Sequence, residues 1–531
     1  MRRRLTVLAA AAATVIAAAV GVRGASSAAD SRPHPHYAGH RYEPAGEVAG
    51  EARTGPALLR LPSGADVVTI GRPTPSPPIP AGFLGLSLEY FGVEPYVGSD
   101  PSAIDPVLVQ LIRNLTPGQA PVLRIGGDST DWTWWPNAHV RAPGGVTFAI
   151  DRRWLAVTRA LARALGARLI LGINLEADSS TVAAAEANAL VNGIGRGHVE
   201  ALELGNEPEL YGTFAWYTSE GQPVTGRPAG YDFADFTDDF SRISRSLPHV
   251  PLAGPSIGVP TPVPMLSRFL EAEPRLGLVS FHAYPLLECF TSPSSPRYPT
   301  IARLLSPSSS RGLAASLASY ASTARQHHLP FRVDEFNSVG CGASPGVSNT
   351  FASSLWVLDT SFAMAQIGVA GINVHTYPGS TSQLFTFSHR HDRWSAIVQP
   401  EYYGLMMFAA AAPAGSRLLH TEISPAGAIR AWATSAPGHK IHVVLINDDS
   451  NGRVVCVRAR SGVGPATLED LLAPNLAAQS AVTLSGQGFG RRTTTGLPAG
   501  RHRGARVAPL DHNYVVTVPA TSAVMLTFAR L

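Results

Sequence analysis

Leu202-Glu203-Leu204-Gly205-Asn206-Glu207-Pro208 is a short apolar run, interrupted by one acid and then stopped abruptly. Pro208 has no amide hydrogen to give to a sheet, so it ends the buried strand that Val199–Leu204 predicts. A carboxylate just past the tip of such a strand, beside an amide, is how parallel-barrel enzymes mount an acid at their mouth. A second tip of the same kind lies downstream in Phe331-Arg332-Val333-Asp334-Glu335-Phe336-Asn337. Glu207 and Glu335 are therefore expected at two strand ends of one sheet.

The surrounding sequence repeats a rhythm of apolar strand, loop and alanine-rich helix. Eight strands are predicted, at 83–90, 122–125, 169–173, 199–204, 252–253, 278–282, 331–334 and 371–375, with the clearest helices at 154–165, 181–191, 233–247, 313–327 and 354–365. Strand–helix alternation at this spacing implies parallel strands joined by right-handed crossovers, and eight units imply closure. After Tyr403-Gly404-Leu405-Met406-Met407-Phe408 the rhythm changes to short alternating strands, at 441–446, 454–458, 514–518 and 524–528, between Gly, Pro and Asn turns. The expected fold is α/β: a (β/α)8 TIM barrel with a C-terminal antiparallel β-sandwich that also takes the N-terminal strands. The expected boundaries are a signal peptide at 1–29, a flexible linker at 30–50, strands joining the sandwich at 51–80, the barrel at 81–400 and the sandwich at 401–531.

At 531 residues, 45% hydrophobic and 15% charged, the chain can bury a large core and is not compositionally disordered. Arg2, Arg3 and Arg4 precede an uncharged Ala/Val/Leu stretch to Val22, and Ser27-Ala28-Ala29 offers a cleavage site. The chain is thus expected to be secreted, to the extracellular space or cell surface, with no membrane span after cleavage. The net charge of +4 is carried by Arg2, Arg3, Arg4 and Arg23, all ahead of that site with no acid among them, so the mature chain is formally neutral. Neutrality gives no ground for a nucleic-acid partner. Of three cysteines, Cys289 and Cys341 follow adjacent barrel strands, whose loops share a face. A Cys289–Cys341 disulfide is expected, with Cys456 a buried free thiol. No Cys/His spacing resembles a zinc site.

Two carboxyls facing one another are what cleavage of a glycosidic bond requires. In retaining enzymes one protonates the leaving oxygen and the other attacks the anomeric carbon, from roughly 5–5.5 Å apart. Glu207 and Glu335 are the expected catalytic pair, needing no metal or organic cofactor. Asn206 is placed to bond a sugar hydroxyl. Asp334 competes with Glu335 for the tip, and Glu203, further inward, is expected to be structural. The other strand ends carry Glu89, Asp128, His282, Tyr284, His375 and Tyr377, and Tyr284 is placed to hydrogen-bond the nucleophile. Trp132, Trp134 and Trp135 could equally stack on a sugar or fill the core.

The set Gly85-Leu86-Ser87-Leu88-Glu89-Tyr90, Arg124-Ile125-Gly126-Gly127-Asp128, Gly205-Asn206-Glu207-Pro208, His282-Ala283-Tyr284-Pro285 and Asp334-Glu335-Phe336-Asn337 resembles glycoside hydrolase family 79, the β-glucuronidases and heparanase-like enzymes. The resemblance runs from about Leu58 to the C-terminus and includes Glu401-Tyr402-Tyr403-Gly404. It implies that Glu207 is the acid/base and Glu335 the nucleophile. It also implies that the loop Asn337-Ser338-Val339-Gly340 and Tyr377 meet a uronate carboxylate, although Gly340 stands where a further tyrosine is expected. The implied activity is a retaining β-glucuronidase acting on glycans that bear a β-linked glucuronate. A β-glucosidase, a β-xylosidase or an endo-acting heparanase-like hydrolase would use the same scaffold. A non-catalytic glycan-binding protein is the reading from a different class.

Overall fold

The structure is a computed structural model and describes residues 64–529 apart from 137–139, 290, 426, 428 and 460–463. The expected signal peptide, the expected linker and the segment 51–63 lie outside the described residues. Among the described residues no helix is long and apolar enough to cross a membrane.

Eight strands close into a parallel barrel in sequence order: Leu84–Glu89, Val122–Gly126, Arg168–Ile173, Val199–Leu204, Leu252–Ile257, Leu276–Ala283, Phe331–Phe336 and Gly371–His375. Closure joins the eighth to the first, with Val374 opposite Leu86. Strands one, five, seven and eight are buried along their whole length, so neither face alternates with solvent, and the polar residues within them, Arg332, Asp334 and Glu335 above all, point into the protein. Helices cover the outside, and local chemistry sets their ends. Asp151 caps Arg152–Leu165 by accepting from the Trp154 amide, and Gly166 stops it in a left-handed conformation (φ 64°). Asp232 and Asp235 form a reciprocal capping box at Phe233–Ser244.

Two irregularities at the mouth decide the site. Strand six pairs Phe281 with Val333 and then His282 with Glu335, so Asp334 is an extra residue in strand seven. Such a bulge breaks the alternation of faces. Strand five is irregular between Pro255 and Ile257, where Ser256 takes φ 59°.

The second layer is one ten-stranded sheet with the path Thr483–Leu484, Ala466–Leu472, Ser522–Ala529, Lys440–Asn447, Ile429–Ala436, Arg417–Ser424, Asp66–Pro73, Arg453–Arg458, Asn513–Val518, and Ala505–Val507 beside Ala466–Leu472. Val68, Val443, Val457, Tyr514 and Leu526, from both halves of that path, share one core, so the sheet closes over itself as a sandwich. The N-terminal strand Asp66–Pro73 sits inside it, antiparallel to Arg417–Ser424 and parallel to Arg453–Arg458. Residue 401 falls at the start of an α-helix, Pro400–Ala411, that is buried almost all round and packs on the barrel helices Phe351–Ile367 and Pro106–Leu115. The sheet therefore resumes only at Arg417. Barrel and sheet are tied through Asp359 on helix Phe351–Ile367. Fully buried, it accepts from Trp432 Nε1 (2.7 Å) and Ser310 Oγ (2.5 Å) and meets Arg430 (3.4 Å).

Candidate active site

The C-terminal ends of the barrel strands bring the two glutamates face to face. Their nearest carboxylate oxygens, with a ring nitrogen of His282, lie within 4.8 Å of one another. Glu335 ends strand seven almost fully buried. Its Oε2 accepts from Arg124 Nη1 at 2.6 Å and its Oε1 from the Tyr284 hydroxyl at 2.7 Å, with His375 Nδ1 3.7 Å away. Burial alone would raise this carboxyl. His375, Arg124 and the Tyr284 hydrogen bond outweigh it and hold Glu335 well below the usual carboxylate range.

Glu207 is placed differently. It follows strand four in a left-handed conformation (φ 48°, ψ 54°), which a non-glycine residue adopts only when its surroundings impose it. Its amide donates to Ser256 O (2.9 Å), and Pro208 then starts a short 3-10 turn. The side chain is 23% exposed to the cleft and meets His282 Nδ1 at 3.0 Å. His282 Nε2 lies 3.2 Å from Arg124 Nη2. Guanidinium only donates, so Nε2 accepts and Nδ1–H donates to Glu207. Gly258 borders the same carboxyl, where an added Cβ would fall 2.6 Å from Glu207 Oε1.

Arg124, fully buried in strand two, organises the floor. Nε donates to Glu203 (2.6 Å), Nη1 to Glu335 (2.6 Å) and Ser87 Oγ (3.2 Å), and Nη2 to Asn206 Oδ1 (2.9 Å) and His282 (3.2 Å). All five N–H groups are engaged. Asn206 then offers Nδ2 to Asp128 Oδ1 (3.3 Å), and its amide donates to Asp131 Oδ2 (3.1 Å). Asp131 fixes this corner further by accepting from Leu175 N, Glu176 N and the Tyr211 hydroxyl. Burial pushes its carboxyl up to about 6 against those hydrogen bonds.

The remaining strand ends line one side of the cleft. Glu89 is buried, accepts from Ser129 N (2.9 Å) and Ser129 Oγ, and lies 3.3 Å from His375 Nε2. Gly127, at φ 73°, leaves room for its carboxylate. Removal from water would lower His375, but Glu335 and Glu89 raise it above its ordinary value. Asp128 is surrounded by protein atoms but keeps contact with solvent through the cleft mouth. Burial, then Glu89, Glu335 and Glu207, pull its carboxyl upward, and that pull grows when a ligand displaces the solvent. Burial and Glu89 push the Tyr377 hydroxyl up to about 12. Tyr377 stands edge-on to Phe91 and His375.

Asn337 and Ser338 are placed differently from a ligand-binding pair. Both are buried, Asn337 Oδ1 accepts from Ser338 N and Oγ, and Asn337 Nδ2 donates to His375 O (2.9 Å). Their side chains brace the loop after strand seven instead of facing a ligand. That loop is tied to the one after strand six by the Cys289–Cys341 disulfide, and Cys456 is a buried free thiol. Trp135 packs against the barrel core. Sequence reasoning missed the roles of Arg124, Asp131 and Ser256; an arginine inside the apolar strand Val122–Gly126 was the available signal for the first.

Glu207, His282 and Glu335 have donor atoms close enough to share a cation. Arg124 and Tyr284 already occupy both oxygens of Glu335, so an ion there would have to displace a guanidinium at 2.6 Å. The donor set suits proton and glycosyl transfer better than metal binding.

No protein-family model matches the sequence, and no curated protein matches it. Solved structures do. A 4-O-α-L-rhamnosyl-β-D-glucuronidase from Fusarium oxysporum 12S superposes with a TM-score of 0.67 at 20% identity, covering 86% of this chain and all of that one. A GH51 arabinofuranosidase from Xanthomonas axonopodis pv. citri gives 0.61 at 14%, over 88% of this chain and all of that one. CelM2, a bifunctional glucanase-xylanase from a metagenome library, gives 0.56 at 13%, over 88% and 99%. The chain has the fold of these glycoside hydrolases, a barrel with a C-terminal β domain.

Proposed function

We propose that the protein is a secreted retaining β-glycosidase whose substrate is a glycan bearing a β-linked glucuronate, as the resemblance to glycoside hydrolase family 79 implies. The observation that carries the reading is the pair of strand-end carboxylates with oxygens within 4.8 Å of each other. Retaining enzymes hold theirs roughly 5–5.5 Å apart, whereas inverting enzymes leave roughly 6.5–9.5 Å for a water.

Glu335, kept anionic and fixed by two donors, attacks the anomeric carbon and expels the aglycone oxygen. Glu207, open to the cleft, gives that oxygen its proton. A glycosyl ester on Glu335 results. Glu207, now a carboxylate, takes a proton from water, which attacks the anomeric carbon and frees Glu335. Asn206, oriented by Arg124 and Asp128, is in position for the sugar hydroxyl next to the anomeric carbon. Secretion rests on the N-terminal Arg-then-apolar pattern and agrees with a disulfide.

The glucuronate preference draws support from the glucuronidase among the structural neighbours. One observation favours a neutral sugar such as glucose or xylose instead. Glu89, Asp128, Glu207 and Glu335 crowd the cleft while every Arg124 donor is engaged, so a uronate would depend on Tyr377 and backbone amides. Release of p-nitrophenol from matched β-glucuronide, β-glucoside and β-xyloside substrates separates the two. A glucuronide preference of about 100-fold or more, equal to about 2.7 kcal/mol of transition-state discrimination, is expected. Faster turnover of a neutral glycoside overturns the uronate assignment, and an inverted anomeric product seen by NMR overturns retention.

A further inference from the structure

Directly beneath the catalytic pair lies a buried acid cluster that the reaction scheme leaves unused. Glu203 on strand four, Asp334 on strand seven and Ser280 on strand six are all fully buried. Glu203 Oε2 has Arg124 Nε at 2.6 Å, and Asp334 Oδ2 lies 3.9 Å from the same nitrogen. Glu203 Oε1, both oxygens of Asp334 and Ser280 Oγ have no donor or acceptor assigned to them. The hydrogen bonds of the nearby guanidinium groups run elsewhere. Arg124 gives its five N–H groups to Glu203, Glu335, Ser87, Asn206 and His282. A second buried guanidinium of the barrel, Arg332, is turned to Asn373, Gly82 O and Phe83 O.

An ionised Asp334 would therefore be a dry carboxylate beside a second one, with at most the Ser280 hydroxyl to solvate it. Such a group takes up a proton instead. As an acid it becomes the missing donor to Glu203 Oε1, and Ser280 completes the set. We propose that Glu203 and Asp334 share one proton, and that this carboxylic acid–carboxylate pair is a positioning device which presents Arg124 to the nucleophile as a charge neutralised only once from below. Burial and Glu203 raise Asp334 well above the usual range, while Glu203, despite its own burial, is held low by Arg124 first of all. With two anions beneath it, Arg124 would be drawn towards the floor and would release Glu335 Oε2. With none, its charge would fall wholly on Glu335 and blunt the attack. The functional consequence rests on reading Glu335 as the nucleophile. The shared proton itself does not.

Infrared difference spectroscopy tests the proton without any turnover. The full chain is labelled with carboxyl-13C aspartate and carries Asp105→Asn and Asp128→Asn, which remove the other aspartates raised furthest above their ordinary value. At pH 8 it is expected to retain one aspartic acid C=O band, and that band is expected to vanish in Asp334→Asn. Its absence from the folded labelled protein shows Asp334 ionised and overturns the proposal, whatever the activity. On the substrate cleaved fastest, Asp334→Asn, whose amide replaces the donor, is expected to keep kcat within about threefold of wild type. Asp334→Leu and Glu203→Gln are expected to lower kcat by about 30-fold or more with KM little changed. Equal losses in Asp334→Asn and Asp334→Leu, both folded by near-UV circular dichroism, would also overturn it. An inactive wild type with the band present would instead remove the glycosidase reading and leave the shared proton standing.

Discussion

Strands four and seven of the barrel each end in a glutamate, and the two ends are built in opposite ways. At strand seven the carboxylate is sunk among Arg124, Tyr284 and His375, which together overcome the cost of burial and keep it ionised. At strand four the carboxyl is held away from the sheet by a left-handed residue and has one polar side-chain partner, the His282 N–H. On the proposed reading, one side chain type serves as fixed anion and as exchangeable proton carrier, because environment and not identity sets the role.

The strongest way to break that contrast is Glu335→Gln. It should lower kcat on the order of 10⁴-fold, measured by steady-state hydrolysis, with the fold intact by thermal melting. A loss as small as that expected at Glu207 would make the two ends equivalent. Glu207→Ala comes next, at roughly 10²–10⁴-fold for an alkyl aglycone. The loss should shrink sharply for a p-nitrophenyl aglycone, which leaves without a proton. An equal loss on both aglycones would deny Glu207 the acid's part.

Tyr284→Phe sharpens the comparison. A hydrogen bond to a charged group contributes about 1.5–3 kcal/mol, so kcat/KM should fall about 10- to 100-fold. Because that bond helps hold Glu335 below its ordinary value, its loss should move the acid limb of the pH–rate profile to higher pH. Stability shifts with the same sign. A depressed carboxylate stabilises the fold fully above its ordinary value of 4.5 and loses that contribution as the pH falls through the lowered one. An unmoved acid limb would show that Tyr284 does not tune the anion. The smallest effect on rate is expected from Cys289→Ser, which frees the loops after strands six and seven. It should lower thermal stability by about 2–5 kcal/mol while kcat changes little. A large loss of kcat would mean that the disulfide positions Tyr284 or Glu335.

Much of the frame was legible because burial leaves a periodic record. The eight apolar runs, the helices between them and the later alternating strands reflect the need to cover both faces of a parallel sheet and one face of each sandwich layer. The strand-end glutamates were legible because Pro208, and the loop that opens at Asn337, mark where the strands stop. Helix Pro400–Ala411 misled the domain boundary, since being buried almost all round it carries no amphipathic stripe to set it apart from the sandwich strands beyond it. Asn337 and Ser338 show the opposite limit: polar residues after a functional strand can as readily brace the loop as meet a ligand.

The sequence by itself determined which segments are strands, in what order they close, and which two carboxylates reach the mouth. These depend on local hydrophobic pattern and on where proline and glycine end a ladder. Only the tertiary structure decided that Asp334 and Glu335 both turn toward Arg124, that Arg124 links the two glutamate-bearing tips through Asn206 and His282, and that Asp334 lies beside Glu203 without a donor of its own. A bulge, a buried guanidinium and a shared proton join residues up to 211 positions apart, and no periodicity along one chain records which of them will meet.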